Sequence, residues 1–121
     1  MALVPAVATQ VSENVMHYKD GTGVSDNDIV VQTGDVSRYN QFLLSSTAGA
    51  LDVDVSLNGT DYTTAPLSLT DLGATTSDPV IVTAANRMYG FVGSFALIRV
   101  RQNGATAATK VNLRCTSVQG N

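Results

Sequence analysis

Apolar and polar residues alternate along LDVDVSL, residues 51–57. Leu51, Val53, Val55 and Leu57 fall on one side of an extended chain, with Asp52, Asp54 and Ser56 on the other. Asn58-Gly59 follows, a pair that accepts positive φ cheaply and marks a hairpin turn, so the pattern predicts a returning strand over 62–65 that ends at Pro66. The same period recurs in ALIRVRQ (96–102), which puts Ile98 and Val100 on one face and Arg99 and Arg101 on the other, before a second turn at Asn103-Gly104. TKVNLRCTS (109–117) then closes the domain. Strand-like runs also appear at 15–18, 29–33 (IVVQT), 41–46 (QFLLSS), 79–84 (PVIVTA) and 87–93 (RMYGFVG). The connections are rich in turn formers: KDGTGVSDND, GDVSRYN, TAGA and LSLTDLGATTSD. One short helical turn is expected around Thr70 to Gly73, and no longer helix.

About eight short strands at intervals of roughly ten residues predict an all-β domain, a jelly-roll-like β-sandwich. Residues 1–14 lack a clear period and contain Pro5, so they read as an extended N-terminal arm. Residues 15–121 form the sandwich, and no internal repeat or second domain is evident. The arm sequence MALVPAVATQ is apolar but has no basic region before it, so a secretory signal is not expected. No apolar run approaches the ~18 residues of a membrane span.

Composition changes this picture in one respect. Only 14% of residues are charged and lysine occurs only as Lys19 and Lys110, which is sparse for a surface that faces water alone. Such a surface suits a chain that is partly covered by partner chains. The net charge of −3 argues against a general nucleic-acid binder, whose affinity comes mainly from neutralised phosphates.

The candidate chemistry is thin. Asp52, Asp54, Ser56 and Asn58 have the spacing of calcium ligands, but an EF-type loop needs glycine at its sixth position and glutamate at its twelfth. Those positions hold Leu57 and Thr63. The strand reading therefore prevails, and Asp52 and Asp54 are expected on a solvent-facing side where they meet a cationic partner. His17 is the lone histidine and Cys115 the lone cysteine, too few for a zinc site or a disulfide. Cys115 reads as a small buried residue and His17 as a structural one. Gly21-Thr22-Gly23 lacks the lysine and helix of a phosphate loop. Asn58-Gly59-Thr60 matches a glycosylation sequon, taken as coincidence. No enzyme, cofactor or metal is expected.

Three arginines draw more interest. Arg99 and Arg101 share a strand face, and Arg114 lies on the next strand across the Asn103-Gly104 turn. They are either solvated outward positions or a basic docking strip for carboxylates of another chain. The strip reading expects charge reversal of Arg99 and Arg101 to abolish assembly and leave the fold intact.

Several stretches between residues 34 and 116 resemble a family. GDVSRYNQFLLSSTAGALDVDVSLNGTDYT, TAPLSLTDLGATTSDPVIVTA, RMYGFVGSFALIRVRQNGATAAT and VNLRC are similar to capsid decoration, or cement, proteins of tailed phages, the short-tailed type above all. The resemblance implies a structural protein on the outer surface of the virion, made in the host cytoplasm. It implies two partners, the major capsid protein and further copies of itself as dimer or trimer, with no direct contact to nucleic acid or membrane. It implies no catalytic residues. The contact positions expected from exposure and chemistry are Val4, Pro5 and Val7 in the arm, with Asp52, Asp54, Arg99, Arg101 and Arg114 on the sandwich. Two alternatives stand beside this: a sugar- or receptor-binding module of a fibre or tail, with Tyr62, Tyr89, Phe91 and Phe95 as its aromatic platform, and a head-completion subunit.

Overall fold

A computed structural model describes residues 2–63, 65–74 and 79–118. Met1 of the expected arm, Thr64 of the expected returning strand, residues 75–78 of the long loop and residues 119–121 lie outside the described residues.

The described chain is all-β and contains no helix. Its strands are β1 (Val7–Ser12), β2 (Val15–Gly21), β3 (Ile29–Gln32), β4 (Gln41–Ser45), β5 (Ala50–Ser56), β6 (Thr70–Asp71), β7 (Tyr89–Val92), β8 (Leu97–Asn103) and β9 (Val111–Thr116). They form a jelly-roll-like sandwich of two antiparallel sheets. One is six-stranded with the order β1-β2-β9-β4-β7-β6, and the other three-stranded with the order β3-β8-β5.

Period-two alternation builds the core. In β8, Ile98, Val100 and Gln102 point inward and are fully buried. Their register partners on β5 are Val55, Val53 and Leu51. The larger sheet answers with Tyr18, Phe42, Leu44, Leu113 and Cys115. Phe42 stacks on Phe91 at 5.0 Å between ring centroids, and Phe95 closes one end at 5.7 Å from Phe42. Gln102 is the polar exception in this core. Its amide donates to the Gly104 carbonyl at 2.9 Å and accepts from the Ala108 amide at 3.0 Å, so the group is satisfied and pins the 103–108 loop. Gly23 must remain glycine beside it, because a Cβ there would lie 2.3 Å from the Gln102 Oε1.

Several sequence expectations change. Residues 7–12 of the expected arm form β1, hairpinned onto β2, because β2 would otherwise present a bare edge to which VATQVS can bond. The strand is exposed along its whole length. Thr70–Asp71 pairs with β7 as a two-residue strand instead of starting a helical turn. The run 79–84 is not a buried strand. Val80 bridges Leu69, and three residues later the Thr83 amide donates to the Leu51 carbonyl at 2.9 Å. The segment thus crosses from one sheet to the other and leaves Ile81 and Val82 exposed. The turn at Asn58-Gly59 is present, with Gly59 at φ +81°. The Asn58 Oδ1 accepts from the amides of Thr60 and Asp61, each at 2.8 Å, and curls the loop tightly. The described part of the returning strand is a single bridge, Ser56 to Tyr62.

Candidate interaction surfaces

The outer face of the three-stranded sheet carries an internal charge cluster. The β5–β8 register sets Asp54 opposite Arg99 and Asp52 opposite Arg101. Asp54 Oδ2 accepts from Arg99 Nε at 3.2 Å and Nη2 at 3.0 Å, and Arg101 Nε lies 2.9 Å away. Asp52 Oδ1 lies 3.3 Å from the same Nε, while its Oδ2 accepts from the Asn103 side-chain Nδ2 at 3.1 Å. Arg101 Nε and Asp52 Oδ1 are close but misaligned, so both are buried without a hydrogen bond. The Tyr62 ring covers the Arg99 guanidinium at 4.1 Å, and its hydroxyl accepts from Gln32 on β3.

This overturns the solvent-facing placement of Asp52 and Asp54, whose side chains are 7% and 2% exposed. The cationic partner is in the same chain. Arg99 and Arg101 are therefore not a free docking strip, since their charge is spent on buried carboxylates. Arg114 does not join them. It lies on β9 in the other sheet, between His17 of β2 and Leu43 of β4.

The outer face of the six-stranded sheet is different in character. Phe42 and Leu44 point inward, so Leu43 must point out, a placement already implied by three successive apolar residues in an alternating strand. Leu43 and Leu72 flank Gly90, where the missing side chain leaves room for an open groove of about 530 Å³ continued by Val92 and Thr70. A second groove of about 370 Å³ adjoins it, lined by Leu43, Met88, His17, Ser45, Asn112 and Arg114. His17 is held by the Asn112 side chain at 3.2 Å. Arg114 is exposed and makes no ion pair among the described residues. This face combines exposed aliphatic groups with basic charge from Arg114. The sequence reading missed the groove, because β4 and β7 meet β6 only in the fold.

The remaining sequence-predicted positions fall at the N-terminal edge. Val4 bridges Thr22, with both backbone bonds made at 2.9 and 2.7 Å, and its side chain is exposed, as is Pro5 beside it. Val7 on β1 is 65% exposed. Of the aromatic platform, Tyr89 and Phe91 are core residues and Phe95 packs against the core. The Cys115 thiol is fully buried opposite Met16 and Phe42, and burial pushes its pKa up to about 12.

No protein-family model and no curated protein sequence matches this chain. Solved structures do. The SPBc2 prophage-derived protein YomS aligns with a TM-score of 0.62 at 14% identity, covering 90% of this chain and 100% of its own. Protein NMB1881 from Neisseria meningitidis aligns with a TM-score of 0.48 at 10% identity, over 97% of this chain and 88% of its own. The cupin domain of Cnp3 from Schizosaccharomyces pombe aligns with a TM-score of 0.45 at 10% identity, over 92% and 59%. At such identities the likeness to YomS is one of fold.

Proposed function

We propose that this chain is a structural virion protein that binds the outside of an icosahedral phage head and cements neighbouring major capsid subunits. The observation that carries the reading is the outer face of the six-stranded sheet. Its apolar grooves and Arg114, which has no ion-pair partner among the described residues, form a broad surface suited to another protein, whereas the reactive side chains are engaged by neighbours within the chain. Asp52 and Asp54 hold Arg99 and Arg101, Cys115 is a buried protonated thiol, and His17 is tied to Asn112. The decoration-protein phrases in the sequence and a prophage-derived neighbour of matching extent support the same assignment. Burial of Tyr89 and Phe91 in the core weighs against a sugar platform.

The mechanism is linkage. A protein that binds only the expanded lattice stabilises it by mass action, and many identical contacts add through avidity. The test is co-sedimentation with expanded, undecorated heads, with copy number read from a stained gel. Saturation at hundreds of copies, weakened by Leu43→Asp or Arg114→Glu, is the expected result. A few to a dozen copies would replace the reading with a head-completion subunit, and no binding would reject the head altogether.

A further inference from the structure

The two sheets have four lateral edges, and three are blunted. Along β5 the edge carbonyls of Val55, Val53 and Leu51 accept from the amides of Thr63, Leu67 and Thr83. On β3 the Val30 carbonyl accepts from Ala6 at 2.8 Å. The edge strand β6 is only two residues long. The fourth edge, β1, is six residues long, uncharged and exposed on both faces; its register with β2 is regular from Val7 to Gln10 and shifts between Gln10 and Ser12, and among the described residues no strand pairs with its outer side. Folded proteins blunt such edges unless they use them.

The hydrogen-bond parity of this edge follows from the ladder. Ser117 N–H donates to the Asn14 carbonyl at 2.8 Å and extends the register in which Met16 faces Cys115 and Tyr18 faces Leu113. Bonded pairs recur every second residue, so Met16 and Tyr18 turn their backbone groups to β9, and His17 and Lys19 turn theirs to β1. Thr9 and Val7 stand opposite those two. Ala8 and Gln10 are left with N–H and C=O directed outward.

The geometry points to a β1–β1 pairing between two copies of this chain, antiparallel about a two-fold axis at Thr9. In that register Ala8 of each copy exchanges both backbone bonds with Gln10 of the other. Thr9 meets its own counterpart as a close pair with Cα atoms about 4.5 Å apart. Val7 comes opposite the region of Val11, which sits at the register shift between Gln10 and Ser12, and both valines are more than half exposed in the single chain. Thr–Thr and Val–Val are favourable cross-strand pairs, and the absence of charge in VATQVS removes the like-charge repulsion that a symmetric pairing would otherwise incur. The result is one continuous twelve-stranded sheet that carries both outward grooves on the same side. This goes beyond head binding and does not depend on it.

The test is sedimentation equilibrium of the full chain in solution, without heads, up to high micromolar concentration, with two variants. Ala8→Pro removes an outward N–H without touching the β1–β2 ladder. It should keep the β-sheet circular dichroism and weaken the dimer about tenfold or more. Thr9→Cys should form an intermolecular disulfide under mild oxidation at least about tenfold faster than Leu57→Cys, an exposed site in the 57–61 turn, with buried Cys115 silent. A monomer at all concentrations overturns the pairing. So does a dimer indifferent to Ala8→Pro, or a Thr9→Cys chain that cross-links no faster than the control. If Ala8→Pro loses its sheet signal, the cross-linking comparison decides alone. Because no capsid is present, either outcome is independent of the head-binding experiment.

Discussion

Removing the cations from the β5–β8 cluster should damage the fold itself. Asp54 is 2% exposed at its side chain, and Arg99 and Arg101 are 26% and 28% exposed. The burden of desolvation therefore falls on the carboxylates. Asp54→Ala leaves two guanidinium groups that can turn toward water, at a cost of about 2 kcal/mol, below the ~3–5 kcal/mol of a fully buried broken pair. Arg99→Ala leaves Asp54 with Arg101 still 2.9 Å away and also loses the Tyr62 stacking, again about 2–3 kcal/mol. Replacing both arginines by alanine leaves two buried carboxylates without a cation. That should cost about 5 kcal/mol or more, a large share of the ~5–15 kcal/mol that holds a domain folded. Urea unfolding followed by circular dichroism measures each value from the midpoint shift at constant slope. Charge reversal of Arg99 and Arg101 should accordingly unfold the chain, not merely abolish its assembly. Midpoints for Asp54→Ala and the double arginine variant within ~0.5 kcal/mol of the parent would refute this argument and restore the solvated reading.

Further outcomes follow from two core residues. Cys115 should resist iodoacetamide in the folded protein at pH 8 and react once unfolded in denaturant. Its thiol ionises near 9.0 when exposed and at about 12 when folded, so between those values the unfolded chain binds fewer protons. Stability should therefore fall as pH rises, by up to about 1.4 kcal/mol per unit from this group, and Cys115→Ala should flatten that slope in denaturant titrations. Gln102→Leu keeps the volume but strands the Gly104 carbonyl and the Ala108 amide. It should cost about 2–4 kcal/mol and lower Tm by roughly 10 °C, and an unchanged Tm in calorimetry would show that the loop does not depend on that amide.

Alternation and turn chemistry were enough to place β5, β8 and their core faces, whereas β1, β6 and the 79–84 segment took forms the local pattern did not indicate. Alternation at 51–57 and 96–102 identified Val53, Val55, Ile98 and Val100 as core, although Leu57 lies past the end of β5 and is 77% exposed, and the turns at Asn58-Gly59 and Asn103-Gly104 stand where the residues predicted them. Side-chain period and positive-φ tolerance are local properties of the chain, so they are legible without a fold. The Leu43 side of the candidate surface was legible in the same way. Strand neighbours, by contrast, are set by long-range pairing. Alternation said that Asp54 and Arg99 both point away from the core, but only the β5–β8 pairing, 45 residues apart in sequence, makes each the partner of the other. Sheet membership likewise separated Arg114 from Arg99 and Arg101, and joined Leu43, Gly90 and Leu72 into one groove. The run at 79–84 had the composition of a buried strand, yet its backbone bonds first to Leu69 and then to Leu51, on opposite sheets. Hydrogen-bond partners and burial on the outer faces are non-local quantities, fixed when distant segments pack, and no local pattern encodes them.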